Sequence, residues 1–166
     1  MAAGATYEPI ATTTLAATAT NITFSSIAAS WTDLKLVLVS QNSNDIYLRF
    51  NGDTGTNYSQ TLLSGNGTAA ASTRTTSLAQ IVLNRSFTVS NTTPQFYSVD
   101  IFSYAGSTNK TSLIQASADY NGSGSTVSNV ALWRSTAAIT TVAIIDSSAG
   151  NFAIGTTATL YGIKAA

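Results

Sequence analysis

Apolar side chains in this chain recur at every second position, in short stretches broken by runs of Asn, Gly, Ser and Thr. Period two is the spacing of a β-strand, whose successive side chains point to opposite faces. It cannot build one apolar stripe on a helix, where neighbours on a face are three and four apart. From Asp33 to Val39 the alternation puts Leu34, Leu36 and Leu38 on one face and Lys35, Val37 and Val39 on the other. One face belongs in the core and the second is at least half covered, as in a central or interface strand. Asp45 to Phe50 alternates again with Ile46, Leu48 and Phe50 inward. The turn-like Gln41-Asn42-Ser43-Asn44 between them predicts that the two strands form a hairpin.

The same spacing predicts strands at Ile22 to Phe24, Tyr58 to Leu63, Leu78 to Leu83, Phe87 to Val89, Gln95 to Tyr104, Thr111 to Tyr120, Val127 to Arg134, Ile139 to Ile145 and Thr157 to Ile163. In Gln95 to Tyr104, Tyr97, Val99 and Ile101 oppose Phe96, Ser98, Asp100 and Phe102. Asn51 to Asn57, Gly106 to Asn109, Asn121 to Gly124 and Ser147 to Asn151 are turns, because Asn and Gly tolerate positive φ and Asx side chains bond their own backbone. Ser64 to Thr76 has almost no apolar anchor and is expected to be an exposed loop. About eight substantial strands without a 3.6-residue amphipathic segment predict an all-β, antiparallel β-sandwich. A jelly roll is the preferred version, with up-and-down and immunoglobulin-like orders open. Residues 21–166 are expected to be this single domain. Residues 1–20, built of Ala, Thr and Gly around Tyr7, Pro9, Ile10 and Leu15, are an extended N-terminal arm or an edge segment.

At 166 residues the chain can bury about two-thirds of its unfolded surface, so its core needs no metal or disulfide. Seven basic and seven acidic residues give zero net charge, and 8% of positions are charged, against about 25% in ordinary soluble domains. Such a surface gathers no polyanion, which excludes nucleic acid as a partner. It also offers little repulsion to identical neighbours. The absence of Cys and His excludes thiolate nucleophiles, imidazole bases and Cys- or His-ligated zinc. The first fifteen residues lack a basic n-region and carry Glu8 and Pro9, so a signal peptide is not expected. No apolar run is long enough to span a membrane.

The carboxylates offer little chemistry. Asp100 and Asp119 fall on the wetter faces of their strands, and Asp33, Asp45, Asp53 and Asp146 read as strand ends or turn caps, so neither an enzyme nor a cofactor is expected. Asn51, Asp53, Thr54 and Asn57 could offer oxygens to calcium, but they lack the spaced acids of a calcium loop and favour a turn held by its own side chains. Asn-x-Ser/Thr triplets are as frequent as the composition dictates. Trp31, Tyr58 and Trp133 could stack on a sugar, but scattered aromatics more often pack a core or interface. Arg49, Arg74, Arg85 and Arg134 form no cluster in the sequence.

Trp31-Thr32-Asp33-Leu34-Lys35-Leu36-Val37-Leu38, the block Leu48 to Ser59, the ending Thr159-Leu160-Tyr161-Gly162-Ile163-Lys164 and the leader Tyr7 to Ala11 together resemble a family of tailed-bacteriophage virion proteins. The resemblance implies a β-rich appendage module, commonly trimeric, found in head-decoration proteins or at the ends of tail fibres. A small chain with a small-residue leader and no fibrous shaft suits a head-decoration or cement protein on the virion exterior. The expected partners are its own copies and the major capsid protein. Tyr7, Pro9, Ile10, Leu15, Val37 and Val39 are then the candidate inter-subunit or capsid contacts. In the alternative, a tail module contacts tail proteins and a host glycan through exposed loops, for which Asn66, Arg74, Asn121 and Ser123 are the candidates.

Overall fold

The computed structural model describes residues 6–42, 44–85, 90–147 and 151–164. The described residues contain no helix. They form strands β1 (Tyr7–Thr14), β2 (Asn21–Phe24), β3 (Asp33–Asn42), β4 (Ile46–Phe50), β5 (Tyr58–Gly65), β6 (Ala70–Leu78), β7 (Ile81–Val82), β8 (Ser90–Phe102), β9 (Lys110–Asp119), β10 (Gly124–Trp133), β11 (Val142–Asp146) and β12 (Thr157–Ile163). A large sheet runs in the order β1, β12, β3, β8, β9, β10, β5, β6 and a small one in the order β2, β11, β4, β7. Every pairing is antiparallel, and the whole is a β-sandwich.

The winding is regular. The first strand pairs with the last and the second with the last but one, and β12 and β11 pass these pairings on to β3 and β4. Strands β3 and β4 continue them to β8 and β7. Two hairpins, β5 with β6 and β9 with β10, interrupt the winding and widen only the large sheet.

The predicted faces agree with the core. Leu34, Leu36 and Leu38 of β3, Tyr97, Val99 and Ile101 of β8, and Ala158 and Leu160 of β12 meet Ile46, Leu48 and Phe50 of β4 and Val142 and Ile144 of β11 in one buried cluster.

Partners differ from expectation in two places. The β3–β4 hairpin does not form, because the chain crosses from one sheet to the other between them. The polar residues at this corner bridge the sheets instead. Asn42 Nδ2 donates to Asp146 Oδ2 at 3.2 Å, Asn44 Nδ2 to Asp146 Oδ1 at 3.0 Å, and Asn84 Oδ1 accepts from the Ile46 amide at 2.8 Å. The predicted loop Ser64 to Thr76 is largely a strand. Asn66 Oδ1 accepts from the amides of Thr68 and Ala69, which turns the chain back as β6 along β5. Because β6 lies beyond the small sheet, it is exposed along most of its length and carries no apolar alternation. Within the leader, where an arm and an edge segment were both open, Tyr7 to Thr14 takes the edge position as a strand on β12. The predicted strand Phe87 to Val89 lies outside the described residues.

Buried polar side chains serve the backbone, Lys110 and Gln60 among them. Lys110 is fully buried at the start of β9, where its Nζ donates to the carbonyls of Gly106, at 2.7 Å, and Thr108 and ties down the preceding turn. Burial pulls its pKa below the usual lysine value. Gln60 of β5 acts as a strand in miniature for the short β7. Its Oε1 accepts from the Val82 amide at 2.9 Å and its Nε2 donates to the Val82 carbonyl at 3.3 Å. A buried amide without a partner costs about 1–3 kcal/mol. Gln60→Leu, which keeps bulk but takes away the Val82 amide's acceptor while Asn129 Nδ2 still reaches the carbonyl at 3.3 Å, should lower stability by about 2 kcal/mol in urea unfolding. A midpoint equal to wild type would show that β7 is held by its pairing with β4 and by packing, without Gln60.

Candidate contact interface

The large sheet turns its outer side to solvent, and the register across it aligns side chains that are far apart in sequence. One row crosses all eight strands as Pro9, Tyr161, Lys35, Asp100, Leu113, Val130, Thr61 and Arg74. The next row contains Thr12, Thr159, Val37, Ser98, Gln115, Ser128, Leu63 and Ser72. A third begins at Thr14 and Thr157 and reaches Val39, Phe96, Ser117 and Thr126. Phe102 stands beside Thr111 at the far end.

Large apolar exposure concentrates here. Of the eight large hydrophobic side chains that are exposed among the described residues, Tyr7, Val39, Leu63, Phe96, Phe102, Leu113 and Val130 lie on this side, and Ile154 lies in the turn before β12. Leu113 faces Val130 directly, and Phe102 and Leu63 extend the pair diagonally, within reach across neighbouring strands. Val39 and Phe96 form a second directly opposed pair. Between these clusters runs a strip of hydroxyl and amide groups, with Gln115 Nε2 donating to Ser128 Oγ at 3.0 Å. An ion pair lies within the face, where Lys35 Nζ and Asp100 Oδ1 are 2.7 Å apart and each side chain is a quarter exposed, whereas Arg74 donates to a neutral hydroxyl, Thr61 Oγ1, at 2.9 Å and Asp119 is exposed on the same side.

The structure places Tyr7, Pro9, Val37, Val39 and Arg74 all on this outer side, with Tyr7 and Pro9 on β1 and Arg74 on β6 at opposite edges of the sheet. Ile10 and Leu15, also expected to be contacts, are half-buried against the protein's own core. The register slips at Ile10, between Pro9 and Ala11. Sequence reasoning did not select Leu63, Phe96, Phe102, Leu113 or Val130, although each is a large apolar residue out of phase with the buried set of its own strand.

Of the loop candidates, Asn66, after β5, lines an open depression of about 330 Å³ at one pole of the large sheet with Gly65, Asp119, Gly124 and Thr126, while Asn121 and Ser123, in the turn after β9 at the same pole, are not among its lining residues. Tyr120 N donates to the Ser123 carbonyl at 2.7 Å, and Asn121, at φ 54°, donates its amide to Asp119 Oδ1. Arg74 lies on β6, outside this group.

The Asn51 to Asn57 turn is held by its own side chains. Asp53 accepts from the Gly55 amide at 2.8 Å, Asn57 Nδ2 at 3.0 Å and Trp133 Nε1 at 2.7 Å, so the carboxylate faces N–H donors. The Trp133 indole, then Asn57, hold its pKa below the usual aspartate value against the opposing effect of burial. A carboxyl that is more acidic in the folded state contributes stability above its unfolded value, near 3.9, and loses it as pH falls through the folded value. Asp53→Asn should therefore be less stable than wild type at pH 7, with the gap in thermal melting closing below about pH 4. A gap constant from pH 7 to pH 2 would show that the charge is irrelevant.

Tyr58 and Trp133 are core residues, and burial pushes the Tyr58 hydroxyl up to about 12. Trp31 is half-buried over Gly162. No protein-family model, curated protein or solved structure matches the chain.

Proposed function

We propose that this chain is a structural protein of a tailed-bacteriophage virion that decorates or cements the outside of the head through protein contacts rather than catalysis. The outer face of the large sheet carries this reading, because it offers a broad, sparsely charged surface with apolar clusters. Burying such a surface against a particle would stabilise both bodies by mass action. The nested pairing of first with last strand and second with last but one supports reading the sandwich as a jelly roll widened by two hairpins. The expected partners are the major capsid protein and copies of this chain, three in the assembly that the resemblance implies.

Cryo-electron microscopy of the source particle tests this directly. Many copies over the head are expected, and a particle lacking the protein should be less stable. Particles of equal stability with and without it would overturn the cementing role.

One observation favours a tail module that recognises host glycan. Asn66 lines a depression with Asp119, Ser125 and Thr126, where amide, carboxylate and hydroxyl groups could meet a sugar. A few copies at the tail, with binding on a glycan array that is lost in Asn66→Ala, would favour that alternative.

A further inference from the structure

We infer that Asn121 is a self-modifying site, at which the folded chain converts a side-chain amide to a carboxylate through a cyclic imide formed with the Gly122 amide nitrogen.

An asparagine followed by glycine meets least hindrance in this reaction, because glycine has no Cβ and leaves the backbone free to turn. The Gly122 nitrogen gives its proton to solvent and bonds to the Asn121 side-chain carbon Cγ, which then expels its own nitrogen as ammonia. Water opens the resulting imide at either carbonyl and returns the proton to the Gly122 nitrogen. Opening at one carbonyl leaves aspartate, and at the other an isoaspartyl link. One water is consumed and one ammonia released, with no oxidation.

The sequence contains three such steps, Asn51-Gly52, Asn66-Gly67 and Asn121-Gly122. The fold separates them by what holds the carboxamide. Asn51 is held at both ends. Its Nδ2 donates to the Ala138 carbonyl at 2.8 Å, and its Oδ1 accepts from the amides of Thr140 at 2.9 Å and Thr141 at 3.0 Å. Asn66 Oδ1 accepts from the Thr68 amide at 3.0 Å, the Thr68 hydroxyl at 2.9 Å and the Ala69 amide at 2.8 Å. The Asn121 side chain and the Gly122 amide have no hydrogen-bond partner among the described residues. Only the Asn121 backbone amide is engaged, on Asp119 Oδ1 at 2.8 Å.

Asn121, at φ 54°, must leave its left-handed conformation to close the imide ring. Asn121, Gly122 and Ser123 are exposed at the tip of the β9–β10 hairpin, so the tip opens without disturbing the core. Asn51 and Asn66 must first release three side-chain bonds each, which should make them slower by at least about tenfold. Conversion places a second carboxylate two residues from Asp119, on the rim of the depression that Asn66 lines. It takes the chain from seven acidic residues against seven basic ones to an excess of one negative charge. The isoaspartyl form also adds a backbone atom to the turn, so this pole changes charge and shape with age while the sheet behind it stays paired.

The test incubates the full native chain in heavy-oxygen water at mildly alkaline pH, then reads by fragment-ion mass spectrometry which asparagine has gained heavy oxygen. Asn121 should lead Asn51 and Asn66 by at least about tenfold. A more acidic species should build up on anion exchange, Asn121→Asp should elute with it, and Asn121→Ser should abolish it. In concentrated urea, where the side-chain bonds are gone, the three rates should converge. Equal rates in the native fold overturn the inference. So does a native ranking that persists unchanged in urea, because the order would then come from neighbouring residues and not from the fold. An Asn121 that converts in urea but not in the native chain also overturns it, by showing that the turn itself blocks ring closure.

Discussion

Trp133→Ala should lower stability by about 4 kcal/mol, the usual cost of emptying a buried aromatic site. In a domain of this size, that corresponds to a fall in Tm of roughly 10 °C. The indole stacks on Tyr58 with ring centroids 6.2 Å apart and planes 15° apart, and lies tilted against Phe50 at 5.6 Å. These rings join β4, β5 and β10, so they connect the small sheet to the hairpin strands that widen the large one. The truncation also removes a hydrogen bond. With Trp133 Nε1 gone, Asp53 keeps only Asn57 and Gly55 as donors within its own turn. Trp133→Phe separates the two effects, because it retains an aromatic ring and loses the N–H. It should cost about 2–3 kcal/mol, the range for a hydrogen bond to a charged group plus a small packing loss. Urea unfolding of both variants measures the difference. If Trp133→Ala came within 1 kcal/mol of wild type, the aromatic trio would not be the joint described.

Gly162→Ala is expected to be almost as damaging, although it adds one methyl group. Gly162 is an inward position of β12, and a Cβ there would lie 2.3 Å from Cγ, Cδ1 and Cδ2 of Trp31. Strand β12 is held on both sides by β1 and β3, so it cannot move aside cheaply. The ring must swing out instead, leaving the methyl group and its surroundings uncovered. Forced overpacking of this kind costs about 1–3 kcal/mol, and contact with several ring atoms at once places this case near 3. The signature is non-additivity. Once Trp31→Ala has removed the ring, the added methyl should cost little, so the double variant should be more stable than the sum of the single losses predicts. Tryptophan fluorescence supplies a second check, because the chain has only two tryptophans. In a Trp133→Phe background, emission from Trp31 should shift to the red when Gly162 becomes alanine. A double-variant loss equal to the sum, with no spectral shift, would count against the contact.

The sequence disclosed faces better than partners, for a physical reason. Alternation in β3, β8, β9 and β10 follows from one side being buried, and Leu34, Val99, Ile114 and Ala131 are buried as their phase requires. Pairing leaves no such local mark. Strands β3 and β4 both bury apolar faces, whether they are neighbours in one sheet or opposed across the core, so their separation into two sheets was illegible. Strand β6 was hidden because Ala70 to Leu78 buries neither side substantially. Its evidence is the backbone pairing to β5. The contact interface was legible in part. Val37 and Val39 stood out because β3 is apolar on both sides, whereas Leu113 and Val130 each looked like one solvent-facing residue until the register placed them opposite one another. Gln60 and Lys110 gave no signal, because polar side chains that satisfy buried backbone look in sequence like any surface residue.

The pairing of β1 with β12 also determines where the domain can be attached to anything else. Tyr7 stands opposite Ile163, and the Lys164 amide donates to the Thr6 carbonyl at 3.1 Å. The chain therefore enters and leaves through adjacent doors at one end of the molecule, while the Asn66 and Asn121 turns occupy the opposite end. A tether, a fused cargo or a graft joined at either terminus would hang from the same side and leave those distant tips unobstructed.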